Sequence, residues 1–356
     1  MYRPRTVYRG KEKTGRLATL IVSILVLLIV LAVWLFYDLQ QYMIYDKDGA
    51  RLVLPAERAP AGGETLPAPR PGAASSAFGS PVEAEIIVDK ADYSDLVSDA
   101  GAGLKALRAR FVRAEALTGT LLSSFITGGL GDYDALVLEL KPPSGLLSYR
   151  STVPLTESYA LNGTLELQGY VEQLKEKGVW LVAQLSALPD AALAARNAPI
   201  ALKDETTGGV FQGANGAAWL DPYHASVRAY LSALMAELKG MGFDEILFDG
   251  LYLPEDGYAF SVPMTDVPDA ESAVSSLALY LRETADALEA RVSGVAADGE
   301  IGQDAALFCK AFDRVVCRDG DALLPALESA ADGAGDTRLV LIGEGYLPDS
   351  ESYIVK

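Results

Sequence analysis

Apolar and polar positions alternate along this chain in two regimes. From about Leu104 onward, short β-type apolar runs are separated by longer stretches whose apolar residues recur at helical spacing. The pattern predicts strands at Arg108–Arg113, Ala135–Lys141, Val179–Leu185, Glu245–Asp249, Arg291–Ala296, Arg314–Arg318 and Arg338–Ile342. Helices are expected between them, among others at Leu165–Lys177, Pro222–Met241, Ala270–Glu289 and Ala322–Ala331. Pro222 reads as a first helical residue behind Asp221 as N-cap, and Gly178, Gly240 and Gly242 read as helix stops. Strands alternating with helices over such a length indicate a parallel sheet, either a closed (β/α)8 TIM barrel or a doubly wound sheet. Seven strands are clear. An eighth rests on the weak terminal run Ser352–Val355, so the pattern alone leaves the barrel incomplete or degenerate unless that run closes it.

The first hundred residues follow a different rule. Leu17–Tyr37 is a continuous apolar run with no ionisable group before its terminal tyrosine. At about 1.5 Å per residue it spans roughly 30 Å of hydrocarbon, enough for one transmembrane helix. Residues 1–16 carry Arg3, Arg5, Arg9, Lys11, Lys13 and Arg16 against Glu12 alone. That basic tail places the N-terminus in the cytoplasm and the remainder outside the membrane. The run ends in Trp34, Phe36 and Tyr37 with no small-residue cleavage site after it, which favours an uncleaved signal anchor over a secretory signal peptide. The expected order is a cytoplasmic tail (1–16), an anchor (17–37), a stalk and Pro/Ala/Gly-rich linker (38–81), a lead-in segment (82–103) and the barrel domain (104–356). Within the lead-in, Val82–Val88 is strand-like.

Charge narrows the partners. The net charge is −18 although the tail is basic, so the domain repels nucleic acid and anionic lipid surfaces. With Cys309, Cys317 and His224 as the only Cys and His residues, a zinc site is not expected, and the two cysteines read as small buried apolar residues. No Gly-rich phosphate loop follows the first strand, and the Gly-x-Gly at 343–345 opens no helix; neither a cofactor nor a metal is implied. A Ser-His-Asp triad is unsupported because no G-x-S-x-G elbow is present.

Candidate chemistry lies at strand ends. Strand alternation puts Val137, Glu139 and Lys141 on one face, and Glu245, Leu247 and Asp249 on another. Glu139, Lys141, Asp249 and Glu344 fall at carboxyl ends, where parallel α/β folds place reactive groups, with Tyr252 on the loop beyond. Asp244 and Glu245 begin their strand and read as structural. The bland alternative for Asp249 is a structural ion pair with Lys141, and for Tyr252 and Trp219 simple packing.

Four stretches carry a family resemblance: DALVLELKPPSGLLSYRS (134–151), GVWLVAQLSALPDAALAARNAPIALKD (178–204), WLDPYHASVRAYLSALMAELKGMGFDEILFDGLYLPEDG (219–257) and, less strongly, RVSGVAADG (291–299). They resemble an uncharacterised bacterial family of glycoside-hydrolase-like proteins with an amylase-like (β/α)8-type domain. The resemblance implies a barrel and a polysaccharide partner. A glycosidase needs two carboxyls flanking the bond, and the strand-end positions offer Asp249 with Glu139 or Glu344, with Lys141, Tyr252, Trp219 and Gln184 as candidate substrate contacts. Lys141, Gly145, Asp244, Glu245, Asp249 and Pro254 match the family's pattern. Glu139 stands in place of Asp, Gln184 and Tyr252 in place of Arg, Gly250 in place of Tyr, Leu253 in place of Phe, and Pro142 in place of an acidic residue. The readings that follow are an anchored glycoside hydrolase, a degenerate barrel that binds glycan or peptidoglycan without cleaving it, or a cell-surface interaction module. Oligomeric state is not legible.

Overall fold

The computed structural model describes residues 43–46, 49–52, 101 and 103–356, apart from 214, 215, 265, 298, 301, 332–334 and 345–349. The chain divides into two compact units, Met1–Ser80 and Pro81–Lys356. In the first, Met43–Asp46 and Gly49–Leu52 pair as an antiparallel hairpin inside the stretch expected to be a polar stalk. The apolar run 17–37, the Pro-rich linker after residue 54 and the strand expected at 82–88 lie outside the described residues. No helix among the described residues is long and apolar enough to cross a membrane.

The second unit is a closed barrel of eight parallel strands: β1 Arg108–Val112, β2 Ala135–Lys141, β3 Trp180–Ser186, β4 Glu245–Asp249, β5 Arg291–Val295, β6 Arg314–Arg318, β7 Leu339–Gly343 and β8 Tyr353–Val355. Each strand pairs with its neighbours in sequence order, and β8 returns to β1 through Tyr353↔Arg108, Ile354↔Ala109 and Val355↔Arg110. The doubly wound alternative is excluded. The weak terminal run completes the barrel, and its three residues suffice because the Tyr353 N–H and the Leu107 N–H are both tied across the seam, to the Leu107 carbonyl at 2.7 Å and to Ser352 Oγ at 3.1 Å. The main helices on the outside are α1 Gly119–Gly128, α2 Gln168–Glu176, α3 Ala225–Met241, α4 Ala270–Ala287, α5 Ala305–Ala311 and α6 Leu324–Ala330.

The period of two along the strands sorts their side chains into two cores. Ala109, Val137, Val182, Leu247, Val316, Val340 and Ile354 fill the barrel interior. Leu136, Leu138, Leu181, Ala183, Ile246 and Phe248 face outward and join Leu231, Leu234, Leu277 and Leu281 of α3 and α4 in the larger strand–helix layer. Below the interior core, at the amino ends, lies a charged floor. Glu245 accepts hydrogen bonds from Arg314, from Ser293 and, at 3.2 Å, from the Trp180 indole N–H; Glu245 and Arg314 are each 2% exposed. Asp244 beside it binds Lys175 and the Leu181 N–H. Both acidic residues at the start of β4 are therefore structural.

Two local expectations are corrected. Asp221 is not the cap of α3. That helix starts at Ala225, and His224 Nδ1 accepts the Ser226 N–H. Asp221 is fully buried and spends one oxygen on the Tyr223 N–H and the other on the N–H and hydroxyl of Ser261 and the Val262 N–H. A carboxylate able to satisfy a second loop is worth more there than at a helix end whose first N–H groups water can reach. The second correction concerns Lys141. The register between β2 and β3 shifts between Glu139 and Lys141, so that Glu139 is level with Gln184 but Lys141 with Leu185. One extra residue in a bulge turns the following side chains to the opposite face. Lys141 consequently points into the strand–helix layer, 5.9 Å from the Tyr230 ring centroid, and does not share a face with Glu139.

Cys309 and Cys317 are both buried and unpaired, and burial pushes the Cys317 thiol up to about 12. Neither is a thiolate near neutral pH.

Candidate functional site at the barrel mouth

One step above the apolar interior, at the carboxyl ends, the inward positions turn polar. Glu139 ends β2's inward row, Gln184 and Ser186 lie on β3, Asp249 closes β4 and Arg318 closes β6. Gln184 is 94% buried, and its amide donates from Nε2 to Asp249 Oδ2 at 3.0 Å. Asp249 Oδ1 accepts the Gly250 N–H at 2.7 Å, which leaves the carboxylate aimed by two neutral donors and, among the described residues, paired with no cation. Gly250 has φ +68°, and a Cβ there would lie 2.6 Å from Pro189 Cδ. Only glycine lets the chain leave β4 this sharply, which accounts for its presence where the family carries tyrosine.

The structural alternative weighed for Asp249, an ion pair with Lys141, is not what forms. Lys141 is fully buried and pairs with Asp190 at 2.9 Å. It lies behind the mouth wall, out of reach as a direct substrate contact. Glu139 faces the mouth, and its Oε2 accepts the Ala114 N–H at 2.8 Å, tying down the loop after β1. Glu344 is exposed just past β7.

A carboxyl that sequence reading passed over completes the site. Glu300, on the loop after β5, is half-buried, and its carboxyl group is pushed up to about 7, first by burial and next by the negative charge of Asp249. Arg318 pulls the other way, as does a 2.6 Å hydrogen bond from Gln303 Nε2. Gln303 also accepts the Ala297 N–H at 2.9 Å and approaches the Leu251 carbonyl at 3.3 Å, so it fastens the β5 loop to the end of β4 and holds Glu300 there. Tyr252 completes the group. Burial raises its phenol, and the charges of Glu300 and Asp249 raise it further. The strand-end rule pointed to this loop, but the residues flanking Glu300 (Asp298, Gly299, Ile301, Gly302) have no periodicity, and the stretch that resembles the family stops at Gly299.

One wall of the mouth is an arm built from the long connections after β3 and β4. Lys203–Asp204 pairs antiparallel with Tyr258–Ala259. Rings of Tyr252, Trp219, Phe211, Tyr258, Phe260 and Tyr223 follow one another at centroid distances of 5.2–6.2 Å. Trp219, expected to stack on substrate, is 7% exposed and packs between Phe211 and Tyr252; it is the core of the arm. Tyr252 is the ring of this row next to the carboxyls. Among the described residues no cluster of three or more Cys, His, Asp or Glu has the arrangement of a metal site.

A closed (β/α)8 barrel with Asp249 and a raised Glu300 carboxyl at its carboxyl end has the architecture of the glycoside-hydrolase class. Residues 124–307, more than half of the chain, match the family described as "Putative glycosyl hydrolase domain", and the chain belongs to that family. Among solved structures it is similar to a hypothetical protein from Ruminiclostridium thermocellum (19% identity, covering 52% of this chain and 95% of that one, TM-score 0.46). Ega3 of Aspergillus fumigatus, solved with galactosamine, is 12% identical over 73% of this chain and 94% of that one, with a TM-score of 0.46. A family 20 exo β-N-acetylglucosaminidase from Vibrio harveyi is 10% identical over 67% of this chain and 41% of that one, with a TM-score of 0.47. No curated protein matches the chain.

Proposed function

We propose that this protein is a membrane-anchored glycoside hydrolase acting outside the cytoplasm on an envelope or extracellular polysaccharide, with Asp249 and Glu300 as its reacting carboxyls. The observation that carries the reading is the pair at the mouth, where burial and the charge of Asp249 raise Glu300. Near pH 7 a large share of Glu300 is protonated beside an Asp249 whose charge contributes to that state. Cleaving a glycosidic bond needs one carboxyl that still holds its proton and one that has lost it. Glu300 delivers its proton to the leaving oxygen as the bond from that oxygen to the anomeric carbon breaks. Asp249 then either bonds to that carbon or takes a proton from the water that does, according to the separation of the two groups. Gln184 keeps Asp249 oriented through both steps, and Tyr252 borders the sugar. Glu139 and Glu344 are further rim carboxyls in reach of substrate hydroxyls.

Release of reducing ends from a panel of neutral and amino-sugar polysaccharides tests this. Activity should fall as the pH rises through about 7, because the acid is lost as Glu300 ionises. Glu300→Gln should remove that limb and lower the rate about 10²–10⁴-fold. If instead Glu139→Gln abolishes the limb while Glu300→Gln stays active, Glu139 is the donor. Binding of a polysaccharide with no turnover in the wild type would leave the non-cleaving barrel as the account.

The anchor at Leu17–Tyr37, with its basic tail, supports the cellular placement. The stalk and linker (38–81) and the lead-in (82–103) would hold the barrel clear of the membrane. Protease added outside intact cells should release the barrel and leave the tail protected. A mature N-terminus beyond Tyr37 would show that the segment is a cleaved signal peptide.

A further inference from the structure

We infer that the buried Lys141–Asp190 pair is a positioning device that aims Asp249 through the backbone of Ser186 and Ala187; the inference rests on the reading of Asp249 as a reacting group. Both side chains are 0% exposed and their charges lie 2.9 Å apart. Lys141 Nζ also donates to the Ser186 carbonyl at 2.7 Å. The next amide, Ala187 N–H, donates to the Asp249 carbonyl at 2.7 Å, and the Leu188 N–H donates to the Gly250 carbonyl at 3.3 Å. The Ser186 hydroxyl donates to the Pro189 carbonyl at 2.8 Å, and Pro189 is the residue against which Gly250 turns.

Asp190 binds the other side of the mouth. Its Oδ1 caps the helix Ala191–Arg196 through the Leu193 N–H at 2.8 Å. The Ala191 and Ala192 amides donate to the carbonyls of Pro143 and Ser144, on the loop that follows β2. Gly145 of that loop lies so close that a Cβ on it would sit 1.8 Å from Asp190 Oδ1. The carboxyl ends of β2, β3 and β4 thus converge on one ion pair.

Stability alone does not call for charges here. A buried pair costs so much desolvation that apolar residues of similar volume commonly serve as well. What an ammonium adds is direction, since its N–H fixes the Ser186 carbonyl while its charge holds the Asp190 carboxylate at the start of the next helix. The end of β4 carries the Asp249 carboxylate, and a displacement of about 1 Å there is worth about a hundredfold in rate.

The test uses the full chain carrying Lys141→Met together with Asp190→Leu, which removes both charges at similar volume. The variant should melt within a few degrees of wild type. Glu300 is followed by carboxyl carbon NMR, assigned with Glu300→Gln. It should titrate near 7 in wild type and lower in Asp249→Asn. In the double variant it should move in the same direction as in Asp249→Asn, because the neighbouring charge is no longer held against it. A folded double variant whose Glu300 titrates as in wild type overturns the proposal. If the double variant does not fold, Lys141→Met with Asp190→Asn decides, since it keeps the helix-capping oxygen and leaves no uncompensated buried charge. Amide exchange at Ala187 should then quicken about tenfold with the melting temperature unchanged, and unaltered exchange overturns the proposal. Neither readout needs a substrate, so failure to cleave any glycan would count against the proposed function and not against this inference.

Discussion

Asp249→Asn should lower turnover by about a thousandfold or more while leaving the fold and glycan binding nearly intact. Asparagine keeps the shape of the side chain and can still face Gln184 and the Gly250 N–H, whose donors sit 3.0 and 2.7 Å from the carboxylate. What it removes is the charge, with two consequences. It deletes the group that bonds to the anomeric carbon or draws a proton from water. It also removes the largest of the charges that raise Glu300, so the Glu300 carboxyl should become more acidic and any residual activity should decline from a lower pH than in wild type. Rates on a single polysaccharide across pH 4–9 on the order of wild-type saturation check both. A variant that keeps wild-type turnover, or one that loses binding along with turnover, would dismiss Asp249 from the reacting pair.

Arg314→Met should cost about 3–5 kcal/mol and leave little folded protein at 37 °C, although Arg314 is remote from the mouth. The Arg314 guanidinium neutralises Glu245 on the barrel floor, and both are 2% exposed. It also donates to the carbonyls of Thr337 at 3.2 Å and Lys105 at 2.6 Å, so it ties β6 to the approach of β1 and to the short helix before β7. Without it Glu245 keeps a hydroxyl and an indole N–H as donors but loses the guanidinium that neutralises it at 2% exposure. Denaturant unfolding measures the loss. Glu245→Gln combined with Arg314→Met should recover most of it, because the uncompensated charge goes too. A single variant as stable as wild type would show that the floor pair is dispensable.

The two residues illustrate how far the chain can be read without its structure. The strands Ala135–Lys141, Glu245–Asp249 and Arg314–Arg318 have the bounds their alternation predicts, and Glu245 and Asp249 occupy opposite ends of one inward row as expected. Such patterns are legible because a side chain's face follows from its own backbone and its immediate neighbours. The eighth strand was marginal in sequence for the converse reason. Three residues carry little pattern, and Tyr353–Val355 becomes a strand because β7 and β1 are there to pair with it.

Tertiary structure alone decided the chemistry of the mouth. The bulge after Glu139 depends on how β2 pairs with β3, and it sends Lys141 to Asp190, a residue 49 positions away, instead of to Asp249. Asp221 looked like a helix cap because its local context is that of one, yet a loop 40 residues further on claims its carboxylate. Glu300 has no periodic neighbours to mark it and matters only because Gln303 fastens its loop beside Asp249. Sequence by itself determined which segments are strands and helices, their alternation into a parallel α/β sheet and the strand end that carries Asp249, since those follow from local spacing. Which carboxyl faces Asp249, and which cation does not, follows from contacts between segments far apart in the chain, and these exist only once the barrel has closed.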